Sequence, residues 1–304
     1  MKRTIWLASY PKSGSTWFRL LIANLDAERP VDINSLHGRG GIASARARFD
    51  NLLLFPSGLL THDECDRLRP SVYRAMADGA RPPRGDNEHD DDEAGAGDVR
   101  FVKTHDAWTI TADGEPLLGG VAAAHGAILI ARDPRDVAPS LANHNGQPID
   151  QAIAFMADPE AAFCGRIDRQ QNQLRQQLPG WSGYHRSWLD QTMLPLHLIR
   201  YEDLHEATAE VLAGALAFAG VTIGAAAIER AVHFASFSEL ERQEREAGFR
   251  EAPPGRKGAF FRRGIAGGWR DELMPGQARA IETAHGAMMA RLGYACAPGQ
   301  GDAM

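Results

Sequence analysis

The chain has 304 residues, of which 44% are hydrophobic, and a formal net charge of −6 with a pI near 6.0. This length allows a large buried core in one domain, and the acidic balance gives no general reason to bind nucleic acid or a membrane surface. Three widely spaced cysteines exclude a disulfide framework. No apolar run approaches the roughly 20 residues of a membrane span, and the apolar run at the N-terminus is shorter than a signal-peptide core. We therefore expect a soluble, cytoplasmic protein.

The first predicted unit is a strand, a tight loop and a helix. Thr4–Ala8 (TIWLA) is a short apolar run of strand-forming residues, and a break rich in Pro, Gly and Ser follows it. From Trp17 to Leu25 the apolar residues recur at helical spacing. The break therefore lies at the N-terminus of a helix.

Two further units repeat this order. Ala127–Ala131 (AILIA) predicts a strand covered on both faces, and a helix follows it through Asn143, in which Pro139 indicates an early kink or a later start. Leu196–Ile199 predicts another buried strand, followed by a helix from about His205 to Ala219. Repeated strand-then-helix units favour a parallel sheet covered by helices.

These units predict an α/β fold: a single domain, residues 1–304, with a central, mostly parallel β-sheet flanked by helices. Residues 81–98 combine Pro, Gly and a block of acids, which predicts a mobile surface loop. We interpret Asp90–Glu93 as a solvated run and not a metal site, because metal ligands must converge from a fixed scaffold. A closing helix is predicted from about Gly276 to Leu292.

The stretch SYPKSGSTW, Ser9–Trp17, has the composition of an anion-binding loop. Residues 13–16 would present backbone N–H groups at the positive end of the helix dipole. Gly14 allows close approach of a ligand, and Lys12 adds an ammonium group. The stretch does not match the triphosphate loop GxxxxGK[ST], since no lysine follows Gly14. It therefore predicts a phosphate or sulfate site and argues against ATP.

Three other stretches carry related chemistry. ARDPRDVAPSLANH (131–144) places an arginine just after a buried strand, AFFRRGIAGGW (259–269) has two arginines before a glycine, and FVKTHDAW (101–108) contains Lys-Thr-His. Together with YPKSGSTW, they closely resemble the motifs of sulfotransferases that use 3′-phosphoadenosine 5′-phosphosulfate. The resemblance runs from Tyr10 to Trp269 and implies the P-loop-like fold of that family.

The resemblance implies a set of donor-binding residues. The co-substrate would be 3′-phosphoadenosine 5′-phosphosulfate, the product 3′,5′-bisphosphoadenosine, and no metal would be needed. The 5′-phosphosulfate loop corresponds to Lys12, Ser13, Gly14, Ser15, Thr16 and Trp17. The 3′-phosphate positions correspond to Arg132, Ser140, Arg262, Arg263 and Gly264, and the positions that line the adenine to Tyr201 and Phe237.

The resemblance also implies the catalytic residues. His105 would be the general base, a role that suits a neutral imidazole. Lys12 would stabilise charge on the bridging oxygen, and Lys103 would add a second cation near the sulfuryl group. The interval between the loop and Lys-Thr-His looks longer than in the cytosolic small-molecule enzymes, so His37 and His62 remain candidates to share or replace the role of His105.

The predicted reaction is sulfuryl transfer to a hydroxyl group, with an amine as the lesser alternative. Two other functions stay open: a nucleotide-dependent small-molecule kinase on a related P-loop fold, and a catalytically silent nucleotide-binding or scaffold protein. The acceptor is expected to be a small molecule or natural product, held by the segments from Asp26 to Asp98 and from Gly146 to Gly183. A homodimer is an open expectation.

Overall fold

A computed structural model describes residues 3–38, 41–80, 95–252 and 258–296. Its strands are β1 (Arg3–Ser9), β2 (Gly95–Ala96), β3 (Val99–Thr104), β4 (Gly126–Ala131), β5 (Ala162–Phe163), β6 (Gln176–Gln177) and β7 (Leu196–Arg200). Five of them form a central sheet in the order β2-β3-β1-β4-β7, parallel except for β2. β5 and β6 pair separately. The predicted α/β fold with a mostly parallel sheet is confirmed.

The helices pack around this sheet. They are α1 (Ser15–Ala23), α2 (Arg46–Leu53), α3 (His62–Ala77), α4 (Pro134–Asn145), α5 (Ile149–Ala157), α6 (Gly180–Asp190), α7 (Tyr201–Glu206), α8 (Thr208–Phe218), α9 (Ala225–Phe234), α10 (Phe237–Ala247) and α11 (Pro275–Arg291). Short 3-10 turns join several of them. The predicted closing helix corresponds to α11.

Two apolar clusters cover the two faces of the sheet. Successive side chains of a strand point to opposite faces, so Trp6 and Ala8 of β1 enter one cluster while Ile5 and Leu7 enter the other. Leu7 is flanked by Lys103 of β3 and Ile128 of β4. This register brings the carboxyl ends of β1, β3 and β4 to one edge, where ligands bind in open α/β sheets.

The structure corrects three local expectations. β7 is an edge strand with Leu198 38% exposed, because nothing pairs beyond it in the described sheet. The helix predicted from His205 is split into α7 and α8 at Ala207, whose φ of −131° and ψ of 54° are not helical. α4 begins at Pro134 and runs through Pro139, so the later start is wrong.

The predicted acidic loop is only partly covered by the structure. Residues 81–94, including Asp90–Glu93, lie outside the described residues, while Gly95–Ala96 belongs to β2 and is paired with β3. All three cysteines are free thiols. Within the described ranges, no helix is long and apolar enough to cross a membrane.

Candidate active site

The loop between β1 and α1 turns sharply at two residues. Lys12 has a φ of 71° and Gly14 a φ of 101°, and a Cβ on Gly14 would lie 2.6 Å from Cδ2 of Tyr201. Gly14 caps α1 without a side-chain hydrogen bond, so the first-turn N–H groups of α1 face the loop. This arrangement can hold an anion at a helix N-terminus.

Arg132 joins the end of β4 to this loop. Its Nη1 donates to the Lys12 carbonyl at 3.1 Å, its Nη2 donates to the Ile265 carbonyl at 3.2 Å, and the guanidinium lies 4.2 Å from the Tyr201 ring centroid. The buried Nε has no hydrogen-bond partner among the described residues. A buried donor without a partner is costly, so this nitrogen is a ready group for an anionic ligand.

Residues 258–269, called the strap below, cross the same end of the cavity. Arg262 binds the carboxylate of Glu272, and Arg263 binds Glu272 at 3.2 Å and Asp271 at 2.7 Å. These guanidinium groups are partly exposed, and ion pairs of this kind contribute little to stability. A phosphate that offers several charged oxygens can therefore replace the carboxylates.

Aromatic rings pack tightly on two glycines of the site. Phe237 starts α10, and a Cβ on Gly264 would lie 2.1 Å from its Cδ2 atom. Trp17 packs edge-on against Tyr201 with ring centroids 5.9 Å apart, and its Nε1 donates to the Ala235 carbonyl at 2.9 Å. The adenine positions expected from the sequence therefore lie beside both phosphate segments.

His105 follows β3 and lies beside the end of β1. Its Nδ1 is 2.7 Å from the Ser9 carbonyl oxygen, so Nδ1 carries the hydrogen and Nε2 of the neutral ring has the lone pair. Burial lowers the pKa of His105 well below its ordinary value, and the charge of Lys103 lowers it further. The side chain is thus a neutral proton acceptor at physiological pH.

A buried ion pair fixes the backbone next to His105. Asp106 and Arg69 are both fully buried, and Arg69 donates to the two carboxylate oxygens at 3.0 and 2.5 Å. The Trp188 Nε1 donates to the Asp106 carbonyl, and the Thr104 hydroxyl donates to the Asp106 carboxylate. α3, β3 and α6 are therefore cross-linked at the residue that follows the proposed base.

Lys103 belongs to a second charged group. Its Nζ is 3.9 Å from Glu251, whose other carboxylate oxygen accepts a hydrogen bond from Arg19 of α1 at 2.8 Å. Burial lowers the pKa of Lys103, the Glu251 carboxylate opposes that lowering, and Arg19 adds to it. Lys12, for its part, holds its ammonium 3.9 Å from the Phe260 ring centroid.

One cavity of about 730 Å³ brings these groups together. Fourteen of the fifteen residues predicted from the sequence line it: Lys12, Gly14, Ser15, Thr16, Trp17, Lys103, His105, Arg132, Ser140, Tyr201, Phe237, Arg262, Arg263 and Gly264. Ser13 of the same loop is fully buried and does not line the cavity. His62 also lies away from the cavity, and the side chain of His37 lies outside the described residues.

Several lining residues carried no motif in the sequence. Arg19, His205 and Glu251 line the cavity. Arg19 follows the loop on α1 by one helical turn, which was a usable signal, whereas Glu251 reaches the site only through the tertiary fold. No group of three or more His, Cys, Asp or Glu residues suited to a metal ion occurs in the described part of the chain.

Comparison with known proteins identifies the family of this chain. Residues 125–293 match the family model described as a sulfotransferase domain. No curated protein sequence matches the chain.

Two solved structures have a similar fold. A mouse sulfotransferase, SULT7A1, complexed with PAP, is 16% identical at a TM-score of 0.56, with 95% of this chain and 85% of that chain covered. A retinol dehydratase in a complex with retinol and PAP is 17% identical at a TM-score of 0.56, with 95% and 82% covered. At such identities the likeness establishes the fold alone.

Proposed function

Because the chain belongs to the sulfotransferase domain family, we propose that it transfers a sulfuryl group from 3′-phosphoadenosine 5′-phosphosulfate to a hydroxyl group of a small-molecule acceptor. The observation that carries this proposal is the single cavity in which His105, Lys103 and Lys12 lie with Arg132. Both neighbours described above have PAP bound, which is 3′,5′-bisphosphoadenosine, the expected product of the donor. Retinol is bound in one of them, which supports a small organic acceptor.

The residues present fit such a donor. Gly14 and Gly264 allow the Tyr201 and Phe237 rings to pack directly on the backbone of the two phosphate segments, where a Cβ would collide with them, and the Arg132 Nε is a buried donor without a partner among the described residues. Arg132, Arg262 and Arg263 would hold the 3′-phosphate, and the N-terminus of α1 the 5′ side. The donor supplies the sulfuryl group and the leaving bisphosphate.

In the proposed reaction His105 removes a proton from the acceptor oxygen. The Ser9 carbonyl holds the Nδ1 hydrogen, which leaves Nε2 to accept that proton. Lys12 donates a hydrogen bond where negative charge builds on the departing side, and Lys103 adds positive charge near the transferred group. The residues thus act by positioning and electrostatic stabilisation, as in phosphoryl transfer.

A transfer assay with labelled 3′-phosphoadenosine 5′-phosphosulfate and a panel of phenols, alcohols and amines tests the proposal. We expect label on at least one hydroxyl-bearing acceptor and release of 3′,5′-bisphosphoadenosine. Thermal stabilisation by this bisphosphate should exceed that by ATP–Mg²⁺. A preference for ATP would favour the alternative kinase function, and bisphosphate binding without transfer to any acceptor would favour a silent binding protein.

Cytoplasmic location and a homodimer stay predictions. Measuring the mass of the chain in solution, with and without the bisphosphate, tests the homodimer.

Sequence segments 41–45 and 163–173 contribute Gly41, Ile42, Ala45, Phe163, Asn172 and Gln173 to the cavity, and we propose that these residues contact the acceptor. They mix apolar and amide groups, so an acceptor with both an apolar part and hydroxyl groups fits them.

A further inference from the structure

Glu251 is an unexpected carboxylate in a cavity suited to an anionic donor. Its side chain is 17% exposed, and it lies between two cations that are even less accessible, Arg19 at 4% and Lys103 at 13%. The carboxylate accepts a hydrogen bond from Arg19 at 2.8 Å and lies 3.9 Å from the Lys103 ammonium. It therefore links α1, β3 and the segment that follows α10.

The bridge has a definite electrostatic consequence. A lysine ammonium removed from water tends to lose its proton, and a nearby arginine increases that tendency. A carboxylate within about 4 Å has the opposite effect, and its influence is strong where water is largely excluded. Glu251 is the acid that acts on Lys103 in this way, since burial and Arg19 both lower the Lys103 pKa while Glu251 raises it.

Geometry argues that Lys103 needs such support. Lys103 is two residues before His105 near the end of β3, both residues line the cavity, and the charge of Lys103 acts on the imidazole. The Arg19 guanidinium is held in place by the Leu36 carbonyl at 3.1 Å as well as by Glu251. Arg19 thus provides a fixed point on α1 from which Glu251 can orient the more flexible lysine.

We propose that Glu251 is a positioning residue for sulfuryl transfer, which keeps the Lys103 ammonium charged and directed at the transferred group. The proposal rests on the proposed function for its catalytic meaning. Its physical core, the effect of Glu251 on Lys103, is independent of any activity. Glu251 does not itself accept or donate the transferred proton.

The first test measures the titration of Lys103 directly. Pulse acetylation of the donor-free chain over a pH series, followed by mass spectrometry, gives the midpoint at which each lysine becomes reactive. In Glu251→Gln we expect the Lys103 midpoint to move to lower pH while the Lys12 midpoint stays in place. Glu241→Gln, which removes an exposed acid on α10, is the matched control and should move neither. Equal Lys103 midpoints in all three proteins would overturn the proposal.

The second test uses the pH profile of transfer. Within the part of the chain that the structure describes, the titratable groups that act on Lys103 and His105 are Glu251, Arg19 of α1 and His144 of α4, and Lys103 also acts on His105. Glu251 raises the pKa of both Lys103 and His105, so its removal lowers both. With an acceptor identified by the transfer assay, both limbs of the profile in Glu251→Gln should shift to lower pH and kcat should fall about tenfold.

Binding of the bisphosphate separates the proposal from its main rival. If Glu251 instead occupied the place of a donor anion, the Glu251→Gln variant would bind 3′,5′-bisphosphoadenosine more tightly and its Lys103 midpoint would not change. That result would show that Glu251 does not position Lys103. We expect calorimetry to show that the affinity of Glu251→Gln for the bisphosphate is within about twofold of wild type.

Should Glu251→Gln fail to fold, Glu251→Asp keeps the charge on a shorter side chain and should shift the Lys103 midpoint by less. If wild type transfers nothing while the Lys103 shift is present, only the proposed function fails.

Discussion

The two ends of the cavity are built differently. Much of the donor end consists of residues that follow a strand or precede a helix, such as Arg132 after β4 and Gly14 before α1, and the strap adds Arg262 and Arg263. The transfer end depends on distant segments: Lys103 needs Glu251, and the backbone beside His105 needs Arg69 of α3. Each donor segment can thus be recognised from its own local sequence, whereas the contacts that support Lys103 and His105 appear only in the assembled fold.

The largest expected effect comes from removing the proposed base. His105→Ala should reduce kcat by about 10²–10⁴-fold, because it removes the Nε2 atom that is proposed to accept the proton of the acceptor. Affinity for 3′,5′-bisphosphoadenosine, measured by calorimetry, should be nearly unchanged. His62→Ala, which alters a histidine away from the cavity, is the control and should keep full activity. If both variants were equally active, the division of roles between the two ends would be wrong.

The ion pair behind His105 should dominate stability at the transfer end. Asp106→Asn leaves the fully buried Arg69 with one carboxylate fewer, and breaking such a pair costs about 3–5 kcal/mol in the free energy of unfolding. Urea denaturation measures the loss. Asp113→Asn breaks the exposed pair with Arg67 and should give no measurable change, so a similar result for both variants would contradict the expected difference.

Arg132 tests the donor end. Arg132→Ala removes the charge that bridges the loop and the strap, and should weaken bisphosphate binding about 10–100-fold. Because His105 and Lys103 are untouched, kcat at saturating donor should fall much less. Isothermal titration and a donor-saturation series separate the two quantities. Wild-type affinity in this variant would remove Arg132 from the 3′-phosphate site.

The smallest of these effects concerns the glycine beneath Phe237. Gly264→Ala adds a Cβ 2.1 Å from that ring at a φ of 58°, so the strap must shift and bisphosphate affinity should fall severalfold. Gly146→Ala has nearly the same φ, 64°, but nothing within 4 Å of the new Cβ. This control carries the backbone strain alone, and a similar loss of affinity in both variants would exclude the steric explanation.

How much was predictable follows from the same contrast. The loop before α1 and the Arg132 segment could be identified from sequence because the residues concerned are adjacent to one another, and a short apolar run marks each strand. The candidate site residues were identified through the resemblance, and all of them except Ser13 line the cavity. Their roles stay predictions.

The rest could not be read from local pattern. Nothing near Glu251 in the sequence indicates that it meets Arg19, since 232 residues separate them. Arg69 is an arginine on a polar helix, yet it is fully buried because Asp66 and Asp106 converge on it from two elements. The expected burial of β7 was wrong for a related reason: an apolar run does not reveal whether its strand lies at the edge of a sheet.

The strap is fastened at both ends by carboxylates. Glu244 accepts the N–H groups of Phe260 and Phe261, and Asp136 of α4 accepts those of Gly267 and Trp269. Residues 261–267, which form neither helix nor strand, are therefore held at both ends. Inserting or deleting even one residue between these two attachment points would shift Arg262 and Arg263 relative to Arg132. Changes of length before Phe260 would leave the distance between the attachment points unchanged.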